Sequence, residues 1–293
     1  MADTKETPLP PLPLPTLRPA GHPTLDLLTD NALADHLGVR VAFSGRAGGV
    51  STGAEGAFAS LNLGAHVNDD VACVSENRRR LLRAFCDDEE MRLVVPTQVH
   101  GTDVVLVEPE AKEEAIARAE EAADAVAVAS MVDDVAVLLC FADCVPLIVA
   151  SPSGAYAVAH AGWRGAYGGI ASGTVRTLAT ADVARGIFSS VEEAAAAYNV
   201  YRGPYIHSEC FAVGHDVRAR FVERFGERCA PDAEHVDLGA ALDADLQRYG
   251  VTAERIADAE QCTLCHNGGY FSYRAQNGVC GRHGALALRE RPC

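Results

Sequence analysis

Residues 135–150 are the most apolar stretch of the chain, and its most disruptive members are Asp143 and Pro146. The stretch is shorter than the about 20 residues a membrane helix needs. It is also too continuously apolar for a strand with one wet face. It therefore reads as strand material buried on both faces, with a break near Asp143, and such strands need covering layers on either side. The same alternation criteria predict strands at residues 39–43, 104–107, 125–128, 135–141, 147–150 and 155–160. Helical spacing predicts helices at 71–85, 112–122, 170–178, 217–225 and 238–249, the first capped by Asp69 or Asp70. Strands and helices mix without strict alternation, which points to an α/β or α+β domain with a substantial sheet. A chain of 293 residues has room for one large domain or two small ones.

Residues 1–23 hold seven of the fourteen prolines. Proline lacks the donor that a sheet or helix needs, so a disordered Pro-rich tail is expected there, with the domain spanning 24–293. The formal net charge is −15. That excludes a protein built to hold a nucleic acid strand, which needs a basic face, and disfavours an anionic membrane surface. A small anion held by a few arginines remains open. Between Asp103 and Asp134 there are ten acidic residues against two basic ones, read as a solvated helix face. The ten cysteines are scattered through a long chain with no visible signal peptide, so a cytoplasmic protein with reduced thiols is expected.

Three segments place reactive residues beside turn-formers at strand ends. They are Thr97-Gln98-Val99-His100-Gly101, Phe141-Ala142-Asp143-Cys144-Val145-Pro146 and His160-Ala161-Gly162-Trp163-Arg164-Gly165. Two imidazoles and a thiolate, His100, Cys144 and His160, make a zinc ligand set with a fourth position free for an acidic water. Spacing alone does not bring them together. The same residues also allow Cys144 to act as a nucleophile, with His160 or His100 as its base. Copper is disfavoured, because the chain has three methionines and no His-x-His pair. Cys262-Thr263-Leu264-Cys265 is a Cys-x2-Cys pair without a second one; Cys280 is a possible third thiolate, and incidental buried thiols are the simpler reading. Arg46, Arg164 and Arg282 lie in Gly-rich turns, and Arg274 follows Tyr273. Such turns can form an anion nest or be ordinary tight turns.

These segments resemble, in order, the purine nucleoside phosphorylase family formerly described as laccase-domain or multicopper polyphenol-oxidase-like proteins, related to peptidoglycan editing factors. The matching residues include Arg46-Ala47-Gly48-Gly49-Val50-Ser51, Ser60-Leu61-Asn62-Leu63-Gly64, His66-Val67, Glu76-Asn77-Arg78, Gln98-Val99-His100-Gly101 and Ala142-Asp143-Cys144. They continue with His160-Ala161-Gly162-Trp163-Arg164-Gly165, Cys262-Thr263, Phe271-Ser272-Tyr273-Arg274 and Gly281-Arg282. The resemblance covers roughly residues 40–288 and departs at Phe211-Ala212-Val213-Gly214, where the family often has a glutamate.

The resemblance implies a single α+β domain with mixed sheets flanked by helices, similar to the catalytic fold of cysteine-hydrolase toxins. It implies zinc on His100, Cys144 and His160. The implied activities are phosphorolysis of adenosine, inosine and methylthioadenosine and deamination of adenosine. Cys144, His160, Asp143 and Arg46 are then expected to be catalytic, and Arg46, Asn62, Arg164, Arg274 and Arg282 to hold substrate or phosphate. The alternatives are an amide hydrolase of peptidoglycan precursors using Cys144 and His160, a copper-dependent phenol oxidase, and a nucleoside-binding module without turnover.

Overall fold

The computed structural model describes residues 9–290. In chain order its first strands are β1 (Arg18–Pro19), β2 (Leu27–Thr29), β3 (Val39–Ser44), β4 (Arg92–Val94), β5 (Val104–Val107) and β6 (Ala125–Val128). The remainder are β7 (Val135–Phe141), β8 (Val145–Ala150), β9 (Tyr156–Ala161), β10 (Asn199–Arg202), β11 (Ile256–Asp258) and β12 (His283–Arg289). They form two six-stranded mixed sheets, ordered β1-β2-β3-β12-β7-β4 and β11-β10-β8-β9-β6-β5. The helices are α1 (Asn31–Leu37), α2 (Val71–Arg83), α3 (Lys112–Glu121), α4 (Trp163–Gly168), α5 (Ile170–Ala184), α6 (Val191–Ala197), α7 (His215–Phe225) and α8 (Leu238–Arg248). This is an α+β domain, and no helix among the described residues is long and apolar enough to cross a membrane.

The apolar stretch becomes β7 and β8, every residue of both being buried. The two strands lie in different sheets. Side chains alternate across a strand. Val135, Val137, Leu139 and Phe141 therefore point into the cluster between the sheets, while Ala136, Leu138 and Cys140 pack on the other face beside Leu81 of α2. In β8, Ile148 and Ala150 face the first sheet, and Val145, Leu147 and Val149 face a layer containing residues of α5, α6 and α8. The continuous apolar pattern thus follows from a sheet-on-sheet core with further layers outside.

Two chain segments pass from the first sheet to the second. One joins β4 to β5 and carries His100. The other joins β7 to β8 in three residues, Ala142-Asp143-Cys144. The site is built on these crossings.

The α2 helix starts at Asp70, whose carboxylate accepts from Ala72 N at 2.8 Å. The Ala-rich segment near 192–197, which carries no motif, is helix α6, with Ser190 as its cap. Pattern reading gave no strand at β12, yet β12 is central, paired antiparallel with β3 and β7. Its Ala-Leu alternation has weak intrinsic strand preference, and burial between two neighbours supplies what propensity does not.

The expected disordered tail is corrected for residues 9–23. Leu12 is buried in the inter-sheet core. Arg255 donates to the Leu12 carbonyl at 2.8 Å and Asn199 to the Pro13 carbonyl at 2.9 Å. Farther on, β1 pairs with β2. Proline-rich chain lacks donors, so it docks through its carbonyls and its leucines. Residues 1–8 lie outside the described residues. Leu12→Ala should therefore lower the unfolding free energy by about 2–3 kcal/mol in a denaturant titration. An unchanged midpoint would mean that this segment does not pack on the core.

Candidate metal centre and its pocket

Cys144 starts from the short turn after β7, where Asp143 adopts a left-handed φ of 85°. His160 is the penultimate residue of β9, paired with Pro146 of β8. His100 sits in the β4–β5 crossing with φ 61°. One donor atom from each of the three residues lies within 4.8 Å of the others. The imidazoles of His100 and His160 meet edge to face, with centroids 4.7 Å apart. Gly162 closes one side. A Cβ there would stand 3.1 Å from His100 Cδ2 and 3.2 Å from Cys144 Sγ, so any side chain would crowd the cluster.

Asp124 organises this arrangement. It is fully buried at the start of β6. Its carboxylate accepts from His100 N at 3.0 Å and Gly101 N at 2.5 Å, and it pairs with His160 Nδ1 at 3.0 Å. Its carbonyl accepts from His160 N at 2.7 Å. With Nδ1 occupied by the carboxylate, the Nε2 of His160 is left for the cluster, as in carboxylate–histidine–metal arrangements. Sequence reasoning missed Asp124, because it sits within the acidic run read as solvated. Its lone signal was position: it directly precedes an all-apolar strand.

Burial alone would raise the Cys144 thiol, but His160 and His100 outweigh it and bring Cys144 down to about 6. Burial alone would lower His160, but Cys144 and Asp124 outweigh that and hold it up at about 9. The thiolate form of Cys144 is therefore favoured near neutral pH, and the thiolate is the metal-binding and nucleophilic form.

The cluster opens into a cavity of about 710 Å³. His100, Cys144 and His160 line it, together with Asp143, Arg274 and Arg282. Arg78, His66, Phe211 and Tyr273 also line it and were not predicted as site residues. Arg78 reaches it from α2 and donates to the Leu63 carbonyl at 2.8 Å. Its motif, Glu76-Asn77-Arg78, was the available signal. Burial, then Arg282 and Arg78, hold His66 below its usual pKa.

The four arginines do not all converge as the sequence suggested. Arg46 lies outside the cavity lining, donating to the carbonyls of Ala59 and Asn267 and covering the Phe271 ring at 4.5 Å. Arg164 is exposed and stacks on Trp163 at 4.4 Å. Asn62 is buried behind the wall, where its Oδ1 accepts from Arg282 N at 2.8 Å. Asp143 faces the cavity, but both its oxygens are engaged, by Thr263 Oγ1 and by Arg274 N, each at 2.7 Å. Cys280 is not the third thiol beside Cys262 and Cys265: it accepts from Arg282, and Cys210 takes that place.

Residues 40–290 match the family described as "Multi-copper polyphenol oxidoreductase laccase". The chain belongs to this family. It is similar to the purine nucleoside phosphorylase YlmD of Geobacillus stearothermophilus, 35% identical over 262 residues, covering 82% of this chain and 89% of that protein. It is also similar to adenosine deaminase RL5 from an unknown prokaryotic organism, 31% identical over 235 residues, covering 77% and 86%. The crystal structure of YlmD superposes with a TM-score of 0.77 at 28% identity, covering 96% of this chain and all of that one.

If Asp124 orients the ligands, Asp124→Asn should weaken metal binding by about 10–100-fold in a chelator competition while the far-ultraviolet circular dichroism stays unchanged. Equal affinity would remove that role.

Proposed function

We propose that this protein is a zinc-dependent enzyme of purine nucleosides, cleaving adenosine, inosine and methylthioadenosine with phosphate and deaminating adenosine. The observation that carries the proposal is a His-Cys-His cluster opening onto a cavity that combines arginines with aromatic rings. The similar proteins are a purine nucleoside phosphorylase and an adenosine deaminase, and both activities lie within the same reading.

The donor set fits zinc. Two imidazoles and one thiolate are suitable ligands, and three protein ligands leave one position open. Copper of the blue type wants an axial thioether, and neither Met91 nor Met131 lines the cavity. Held by His100, Cys144 and His160, zinc would supply a Lewis acid beside the bound substrate.

The remaining roles fall to this chain's own groups. Phosphorolysis requires phosphate placed against the ribose as positive charge develops on the sugar. Arg274, Arg282 and Arg78 are suited to it, because guanidinium groups bind phosphate through paired N–H donors. Arg282 lies 5.9 Å over the Tyr273 ring and Arg274 5.7 Å over Phe211, so each cation is steadied by an aromatic face. The same two rings offer stacking surface for a purine. His66, held neutral, can give or take a proton at the substrate. Asp143 we assign to positioning, since it ties the Arg274 backbone to the turn that bears Cys144. Arg46, Asn62 and Arg164 we assign to the framework around the pocket.

Chromatography of products from adenosine, inosine and methylthioadenosine, with and without phosphate, tests this. Release of free base should require phosphate, and inosine should form from adenosine without it. Cys144→Ala should abolish both while the protein remains folded. Arg274→Ala should raise the phosphate concentration needed by about 10–100-fold, the loss of a hydrogen bond to a charged group. No base release under any condition would sink the proposal.

The pH dependence has a definite sign. Cys144 binds metal as thiolate, and below about 6 protons compete with the metal for it, so zinc affinity should fall more steeply on acidification below that point than above it. Chelator competition at steps between about pH 7 and 5 reads this directly, and an affinity that does not change with pH would contradict it.

One observation favours a second reading. Cys144, His160 and Asp124 stand in the order nucleophile, base and orienting carboxylate. An amide hydrolase, for example of peptidoglycan precursors, would use that order without metal. Metal-stripped protein that cleaves an amino-sugar peptide and leaves nucleosides intact would establish it over the first.

A further inference from the structure

A second group of metal-binding side chains lies apart from the first. Glu209, Cys210, Cys262 and Cys265 each offer a donor atom, and these atoms lie within 4.8 Å of one another. The Sγ atoms of Cys210 and Cys265 are 3.4 Å apart. That exceeds the about 2.05 Å of a disulfide, and it is near the about 3.8 Å between two thiolates on one tetrahedral zinc. The backbone N of His207 donates to Cys262 Sγ at 3.4 Å, which fixes the direction of that sulfur.

The two loops that carry these groups are already aligned. Tyr205 N donates to the Gln261 carbonyl at 3.2 Å, and Thr263 N donates back to Tyr205 at 2.9 Å. The bridge continues the parallel pairing of β10 with β11, and past it, among the described residues, no regular element joins the two loops. Without a cross-link, three mutually close sulfurs and a carboxylate would hold them together poorly.

We propose that Cys210, Cys262 and Cys265, with Glu209 as fourth ligand, form a second, closed zinc site that fastens these two loops together. Three thiolates and a carboxylate complete a tetrahedron, leaving no open position for substrate. The position gives the site its purpose. Phe211 follows Cys210 and lines the cavity, and Thr263 follows Cys262 and hydrogen-bonds Asp143. An ion here fixes part of the pocket wall from behind. Its binding displaces the thiol protons, so it strengthens as pH rises.

The test is zinc content of the full-length protein, purified anaerobically and reconstituted with zinc. Wild type should hold about two zinc ions per chain. Cys210→Ser, Cys265→Ser and Cys144→Ala should each hold about one fewer. Cobalt-loaded Cys144→Ala should keep a strong thiolate-to-metal absorption band, which the double variant Cys144→Ala, Cys265→Ser should lack. In unsubstituted protein, zinc should shield Cys210 and Cys265 from alkylation and chelator should expose them, so the idea remains testable if a variant does not fold. Zinc content in Cys265→Ser equal to wild type, a zinc-free Cys144→Ala, thiols alkylated equally with and without zinc, or a Cys210–Cys265 disulfide would each overturn it. The result does not depend on which reaction the first centre performs.

Discussion

The site depends on one buried carboxylate. Among the described residues, Asp124 has no lysine or arginine partner in its hydrogen-bonding shell, and its side chain is fully buried. Its charge is balanced by two backbone N–H groups and an imidazole. Burying a carboxylate is costly unless such partners are present. Those partners are the His100–Gly101 turn and His160, so the interactions that make Asp124 tolerable in the interior also set the positions of two cluster residues. The left-handed backbone at His100 is held by the same bonds.

The cationic side of the pocket is organised differently. Arg282 is held through its backbone by Asn62, and Asn62 in turn sits in a network with Asn77 and Asp69. Asn77 also holds Val50 through its backbone N at 2.9 Å. The motif residues near positions 46–64 thus act mostly one layer behind the cavity. Gly49 shows how tight that layer is: a Cβ there would lie 2.1 Å from the Ser60 carbonyl oxygen. The surface carries excess negative charge, while arginines gather at one cavity, which suits a small anion.

Much of the core was legible in the sequence, because 135–150 is apolar on both faces and only a layered architecture hides both. Strands 104–107 and 125–128 and the starts of α2, α3, α5 and α8 follow the expected pattern. Strand β12 and helix α6 were not, since alanine serves helix, strand and loop alike and leaves the choice to tertiary packing. The cluster residues His100, Cys144 and His160 stood out by type beside turn-formers, although their convergence came from pairings between distant strands. Arg46 and Arg164 stood out equally and lie elsewhere. A glycine-rich turn with an arginine looks the same in sequence whether its guanidinium faces a ligand or a neighbouring carbonyl. Arg78 was hidden for the opposite reason, because it lies among the basic residues of an amphipathic helix.

Two donors of the cluster ride on segments that leave one sheet and enter the other, while the third ends a strand of the second sheet. Yet Cys144 directly precedes β8, His160 lies on its paired neighbour β9, and Asp124 ahead of β6 holds the His100 turn, so the mutual distances of the donors belong to the second sheet. A small slide between the layers would leave the donors together and shift them against Cys140 and Arg282, which the first sheet brings to the cavity. Residues deep between the layers, such as Tyr156, whose hydroxyl bonds the Val135 carbonyl across the interface, set how the donors face a pocket wall that those residues never touch. Selection for chemistry at the pocket thus reaches into the interior, and alignment of the donors with the cavity's cations is tied to the packing of side chains that have no chemistry of their own.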